Sequence, residues 1–161
     1  MNIFEFAKEK EKYAEEFYRD RAAKSPNTGL AEVFELLANE EEKHFEMIEK
    51  MQTDVPAELV ETPVLANAVT IFEKMREGEK KFTLNKSELD LYGEAQKIEA
   101  SARKFYLEKA DEVETPLQRE LFLKLAEEEK KHYFLLDNII EFVARPQRWL
   151  ENAEFYHLED Y

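Results

Sequence analysis

Residues 38–47 read ANEEEKHFEM, and 88 positions later residues 126–135 read AEEEKKHYFL. At helical spacings of three and four, the first stretch lies on a seam of Phe34, Leu37, Glu41, His44, Ile48 and Met51. The second lies on Phe122, Leu125, Glu129, His132 and Leu136. Each seam is apolar except near its centre, where a glutamate takes the place of a hydrophobic residue and a histidine follows three residues on. Glu and His at that spacing share one helix face, so both side chains can reach one point.

The repetition extends upstream. The same shift carries Ala7, Glu11, Ala14, Phe17, Tyr18 and Ala22 onto Ala95, Glu99, Ala102, Phe105, Tyr106 and Ala110, with no gap. Glutamates match by chance in so acidic a chain, but paired Ala, Phe, Tyr and His in register do not. The chain therefore reads as an internal duplication with a pseudo-twofold axis. Its two remaining seams are Phe4, Ala7, Glu11, Ala14, Tyr18 and Tyr92, Ala95, Glu99, Ala102, Tyr106. Each again carries one glutamate on the apolar side.

Burying a lone carboxylate costs on the order of several kcal/mol, so four that converge demand compensation. Two divalent cations would balance the four charges, with the imidazoles of His44 and His132 completing the coordination. Ala14 and Ala102 leave room for such a cluster. Oxygen-rich ligation with one imidazole per ion suits iron or manganese better than zinc. Glu40, Glu42, Glu127 and Glu128 read as solvated surface. Core packing and a hydrogen bond to a ligand carboxylate account equally well for Tyr18 and Tyr106.

Prolines mark the joints between helices. A first helix is expected from Ile3 to Lys24 with Asn2 as its cap, and a second from the turn at 25–29 to Met51. A third, capped by Ser87, should reach Asp111. A fourth should begin at Thr115, with Pro116 in its first turn and Gln118 closing a capping box, and run to Val143. Between the second and third, residues 64–77 carry an apolar stripe of Leu65, Ala68, Phe72 and Met75. No period-two alternation occurs, so strands are not expected. The expected fold is all-α: a ferritin-like four-helix bundle over residues 1–145 with one long crossover between helices two and three. A short C-terminal extension, residues 146–161, carries Trp149, Leu150, Phe155, Tyr156 and Leu158 and should dock on the bundle or on a second subunit. Trp149 reads as its anchor, and His157 as a surface or packing residue.

Composition removes other classes. The 161 residues hold 23 basic and 37 acidic side chains, a net charge of −14 that disfavours nucleic acid and anionic membranes. There is no cysteine, which excludes disulfides, thiol catalysis, iron–sulfur clusters and cysteine-ligated zinc. No long apolar run and no signal-peptide pattern is present, so a cytoplasmic setting is expected.

The pattern E-x-x-A-x-x-F-Y at Glu11 and Glu99, with A-x-x-E-x-x-H at Ala38 and Ala126, resembles the rubrerythrin branch of the ferritin-like superfamily. The ending WLENAEFYHLEDY also resembles tails of members without a rubredoxin domain. The resemblance implies two iron ions per chain, with manganese or zinc as substitutes. Glu41 and Glu129 would bridge them, Glu11 and Glu99 would be terminal ligands, and His44 and His132 would bind one metal each. It implies reduction of hydrogen peroxide or dioxygen with electrons from a separate rubredoxin-type donor, since the family's four-cysteine rubredoxin domain is missing. It also implies a homodimer, in which the crossover or the tail would be buried. One departure matters: Gln96 stands where rubrerythrins carry an extra glutamate three residues before the helix-three ligand. That leaves a second reading open, an iron-binding protein with ferroxidase-type turnover and no dedicated peroxidase activity.

Overall fold

The computed structural model describes residues 2–25, 28–53, 64–77 and 86–144, and these form five α-helices with no strand among them. They are α1 (Ile3–Lys24), α2 (Thr28–Gln52), α3 (Val64–Glu77), α4 (Lys86–Lys109) and α5 (Pro116–Ala144). The ends are where local chemistry puts them. The Asn2 side chain accepts the Glu5 N–H at 2.8 Å, satisfying one of the free amides of the first turn. At α5, Thr115 Oγ1 accepts the Gln118 N–H at 3.1 Å, and Gln118 Oε1 accepts the Thr115 N–H at 3.2 Å, a reciprocal capping box. Arg21 and Lys24 place positive charge at the C-terminal end of α1, where the helix dipole favours it. α4 begins at Lys86, so the expected cap Ser87 lies inside its first turn, and the helix ends at Lys109, short of Asp111. The tail with Trp149 and His157 lies outside the described residues.

Two helix pairs make the bundle: α1 packs along α2, and α4 along α5. Their apolar seams meet in a core that divides in two. One half gathers Ala14, Tyr18, Leu30, Phe34, Leu37, Tyr92, Leu135 and Ile139; the other gathers Ala7, Met47, Ile48, Phe105, Tyr106, Phe122 and Leu125. The split is a consequence of the seams themselves, because each passes through its glutamate between one half and the other. Phe4 is the exception to the expected burial. It sits at the rim, half-exposed, with its ring edge-on to Phe122.

The apolar stripe of the crossover packs on its own bundle. α3 lies against α2, with Val64, Ala68 and Phe72 buried in the first core half and Leu65 and Met75 partly covered. No described helix is long and apolar enough to cross a membrane. Phe72 is fully buried, so Phe72→Ala is expected to cost about 3–5 kcal/mol of unfolding free energy. Urea denaturation checks this, and a loss within experimental error would mean that α3 does not hold this position in solution.

Candidate metal centre

Where the core divides, it is polar. Glu11 of α1, Glu41 and His44 of α2, Glu99 of α4, and Glu129 and His132 of α5 are all about completely buried. Two sets of four ligand atoms converge, each set lying within 4.8 Å: Glu11, Glu41, His44 and Glu129 in one, and Glu41, Glu99, Glu129 and His132 in the other. Each set offers three carboxylates and one imidazole, and the two share Glu41 and Glu129. All six residues singled out in the sequence are brought together.

The contacts cross from one half of the duplication to the other. His44 Nδ1 lies 3.0 Å from Glu129 Oε1, and His132 Nδ1 lies 2.8 Å from Glu41 Oε1. The two imidazoles face each other nearly parallel, 5.8 Å between centroids. The Tyr18 hydroxyl donates to Glu99, and the Tyr106 hydroxyl donates to Glu11. Both tyrosines therefore pack in the core and donate to a carboxylate of the opposite half, so the two readings of these residues hold together. Gln96 is not part of the cluster; its amide donates to Asp137 Oδ1 at 3.2 Å on α5.

Electrostatics show what the cluster lacks. Burial raises the Glu41 carboxyl well above its ordinary range, and the charges of Glu11 and Glu99 add to that. Burial raises Glu129 likewise, with Glu41, Glu99 and Glu11 contributing. Burial opposes charging the imidazoles, but Glu11 outweighs it and holds His44 well above its usual value. At His132, burial is outweighed by Glu99 and Glu129, and the ring is pushed up to about 9. Burial also works against ionised Glu11 and Glu99, yet His44 and His132 respectively keep them below the usual carboxylate range. Protons thus do the balancing when nothing else does. Even so, Glu11 Oε2, Glu99 Oε2, His44 Nε2 and His132 Nε2 are buried with no hydrogen-bond partner. A pair of divalent cations fits this donor set: it neutralises the carboxylates, takes the imidazole lone pairs and occupies the orphaned oxygens.

Glu40 and Glu128, expected on the surface, are buried. They lie on the flank of the helix that faces the neighbouring pair, and each is held by a lysine one turn on, Lys43 and Lys131, at 3.4 Å. Their carboxylates come within 4.8 Å of a ring nitrogen of His132. A histidine that gives one nitrogen to a cation carries its proton on the other, and that proton needs an acceptor. The sequence did hold a signal for them, since Glu40 and Lys43 recur in register as Glu128 and Lys131. Glu42 and Glu127 are exposed, as expected.

Comparison with protein families matches the chain to the family described as Rubrerythrin, over residues 2–140 and again over residues 90–156. The second match starts 88 residues after the first, the offset of the internal repeat. No curated protein and no solved structure gives a significant match.

The proton balance has a measurable consequence. His132 holds its proton up to about 9 when folded, against ~6.5 for an unfolded histidine. Its contribution to stability is therefore fully present below about 6.5 and lost as pH rises through about 9. His44, Glu41 and Glu129, also raised, act in the same direction over their own ranges. The metal-free protein is expected to lose thermal stability as pH rises from neutrality through this window. Metal binding, which needs these groups deprotonated, should tighten over the same range and release protons. Melting curves with and without chelator check both, and identical pH profiles would contradict the assignment.

Proposed function

As the chain belongs to the rubrerythrin family, we propose that it is a di-iron carboxylate oxidoreductase that reduces hydrogen peroxide, or dioxygen, with electrons from a separate rubredoxin-type protein. The observation that carries this reading is the pair of four-residue sets joined through Glu41 and Glu129. On this reading Glu11 and His44 would hold one iron and Glu99 and His132 the other, with Glu41 and Glu129 shared by both. The six residues would hold two ferrous ions, which when bound would supply the two electrons that reduction of peroxide needs. The chain's own groups do the rest. Tyr106 and Tyr18 orient Glu11 and Glu99 through their hydroxyls. The two apolar core halves keep bulk water from the carboxylates. A cytoplasmic homodimer belongs to the same reading, with the apolar side chains of the sequence 146–161 as the candidate contact now that α3 is covered within the chain.

The second reading, iron handling with ferroxidase-type turnover, is favoured by one observation. Gln96, in the place of the extra family glutamate, is tied by hydrogen bond to Asp137 rather than aimed at the cluster.

Anaerobic reconstitution should load two irons per chain, and His132→Ala should leave one. Metal analysis that finds one or none in the wild type would sink the dinuclear reading. Stopped-flow oxidation of the di-ferrous protein separates the two functions, with peroxide outrunning dioxygen for the peroxidase and the reverse for ferroxidase-type turnover. Gln96→Glu would set a new carboxylate against Asp137, and repulsion would release it toward the cluster. Peroxide turnover with an added rubredoxin-type donor is expected to rise several-fold. A wild type already as fast as the variant would show the glutamine to be silent.

A further inference from the structure

A cavity of about 550 Å³ opens between α4 and α5. Glu99, Arg103 and Lys104 line it from α4, and Glu129, Lys130 and Tyr133 from α5. Lys104 at the rim is exposed and Glu99 and Glu129 at the inner wall are buried, so the cavity leads from solvent toward two residues of the candidate centre without opening it to water. Arg103 stands one helical turn beyond Glu99. Its Nε is buried without a hydrogen-bond partner, and the side chain makes no ion pair among the described residues. In a chain where acids outnumber bases 37 to 23, that is an unusual omission. Arg19, Arg21 and Arg119 each pair with a carboxylate.

The duplication supplies an internal control. At the positions of Arg103, Lys104 and Lys130, the first half carries Glu15, Glu16 and Glu42. The ligands were kept and the charge around them was inverted. The corresponding face of the first half is also laced shut: Arg19, at the position of Leu107, binds Glu15 at 2.9 Å, Glu35 at 3.0 Å and Glu42 at 2.9 Å, tying α1 to α2.

We propose that the α4–α5 cavity is an anion-admitting entrance to the metal pair, and that Arg103 is the group that receives a small monovalent anion on its way there. The proposal rests on the dinuclear reading of the six buried ligands. With two divalent cations bound, the carboxylates at the inner end no longer repel an anion. Lys104 is 3.9 Å from Glu108 and is largely offset by it, leaving Arg103 and Lys130 as the wall's cations without an ion pair among the described residues. The apolar surfaces of Leu107 and Phe134 lower the local dielectric and strengthen their field. Such a passage favours a small monovalent anion over a hydrated metal cation, so anion and metal would enter by different faces.

The test is azide titration of the iron-loaded protein, followed by its visible spectrum. Arg103→Gln is expected to weaken azide binding about tenfold or more, the scale of one charge-assisted hydrogen bond, with metal content unchanged. Arg103→Lys, which keeps the charge, should restore most of the affinity, and Glu15→Gln on the closed face should leave it unaltered. Azide affinity in Arg103→Gln within about twofold of wild type would overturn the proposal. A protein that takes up no metal would instead overturn the dinuclear reading. In that case bromide soaked into crystals of the metal-free protein tests the cavity alone: anomalous scattering at Arg103, lost in Arg103→Gln, supports the anion site, and its absence from wild type counts against it.

Discussion

Four carboxylates and two imidazoles share the space between two halves of one hydrophobic core, and the rest of the molecule is arranged around that constraint. Ionised together without cations, the four acids would repel one another at a cost of several kcal/mol each by order of magnitude. The metal-free chain leans on protons: burial and neighbouring carboxylates raise Glu41 and Glu129, Glu11 and Glu99 outweigh burial to raise His44 and His132, and the imidazoles in turn keep Glu11 and Glu99 low. Two divalent ions would answer the same problem with the protons expelled. The site is close to electrically neutral either way, which is how a polar layer persists inside an apolar bundle.

The hydrophobic halves on each side of the layer fix the geometry that the layer needs. Tyr18 belongs to one half and Tyr106 to the other, yet each sends its hydroxyl to a glutamate at the dividing level. Packing sets the ring, and the ring sets the carboxylate. A loosened core would be felt at the ligands before it was felt in the fold.

Helices and the six clustered polar residues were legible in the sequence because each follows from spacing along one helix. The interrupted seams name Glu11, Glu41, Glu99 and Glu129, and the three-residue offset names His44 and His132. What spacing cannot show is what lies across the gap between helices. The burial of Glu40 and Glu128 depends on the neighbouring pair covering a flank that looks solvated when each helix is taken alone. Tyr18 and Tyr106 remained ambiguous for the same reason, since their partners are 81 and 95 residues away. Ser87 failed as a cap because Lys86 already has helical backbone, and helix ends move by a residue or two under small local preferences. The charge reversal at Arg103, Lys104 and Lys130 was printed in the sequence throughout, but it acquired meaning only once a cavity joined those residues to Glu99 and Glu129.

Within each half, His44 pairs with Glu11 and His132 with Glu99, but the four hydrogen bonds of the site run between the halves: His44 to Glu129, His132 to Glu41, Tyr18 to Glu99, Tyr106 to Glu11. Neither helix pair completes a site by itself, but two identical pairs facing each other would. The arrangement is that of a symmetric association between two copies of a shorter polypeptide, made permanent by a crossover. Covalent joining lifts the symmetry requirement, because a substitution in one half is no longer copied into the other. A fused chain can keep both ligand sets and still close one side with Arg19 while opening the other beside Arg103, a division of labour that a pair of identical short chains could never encode.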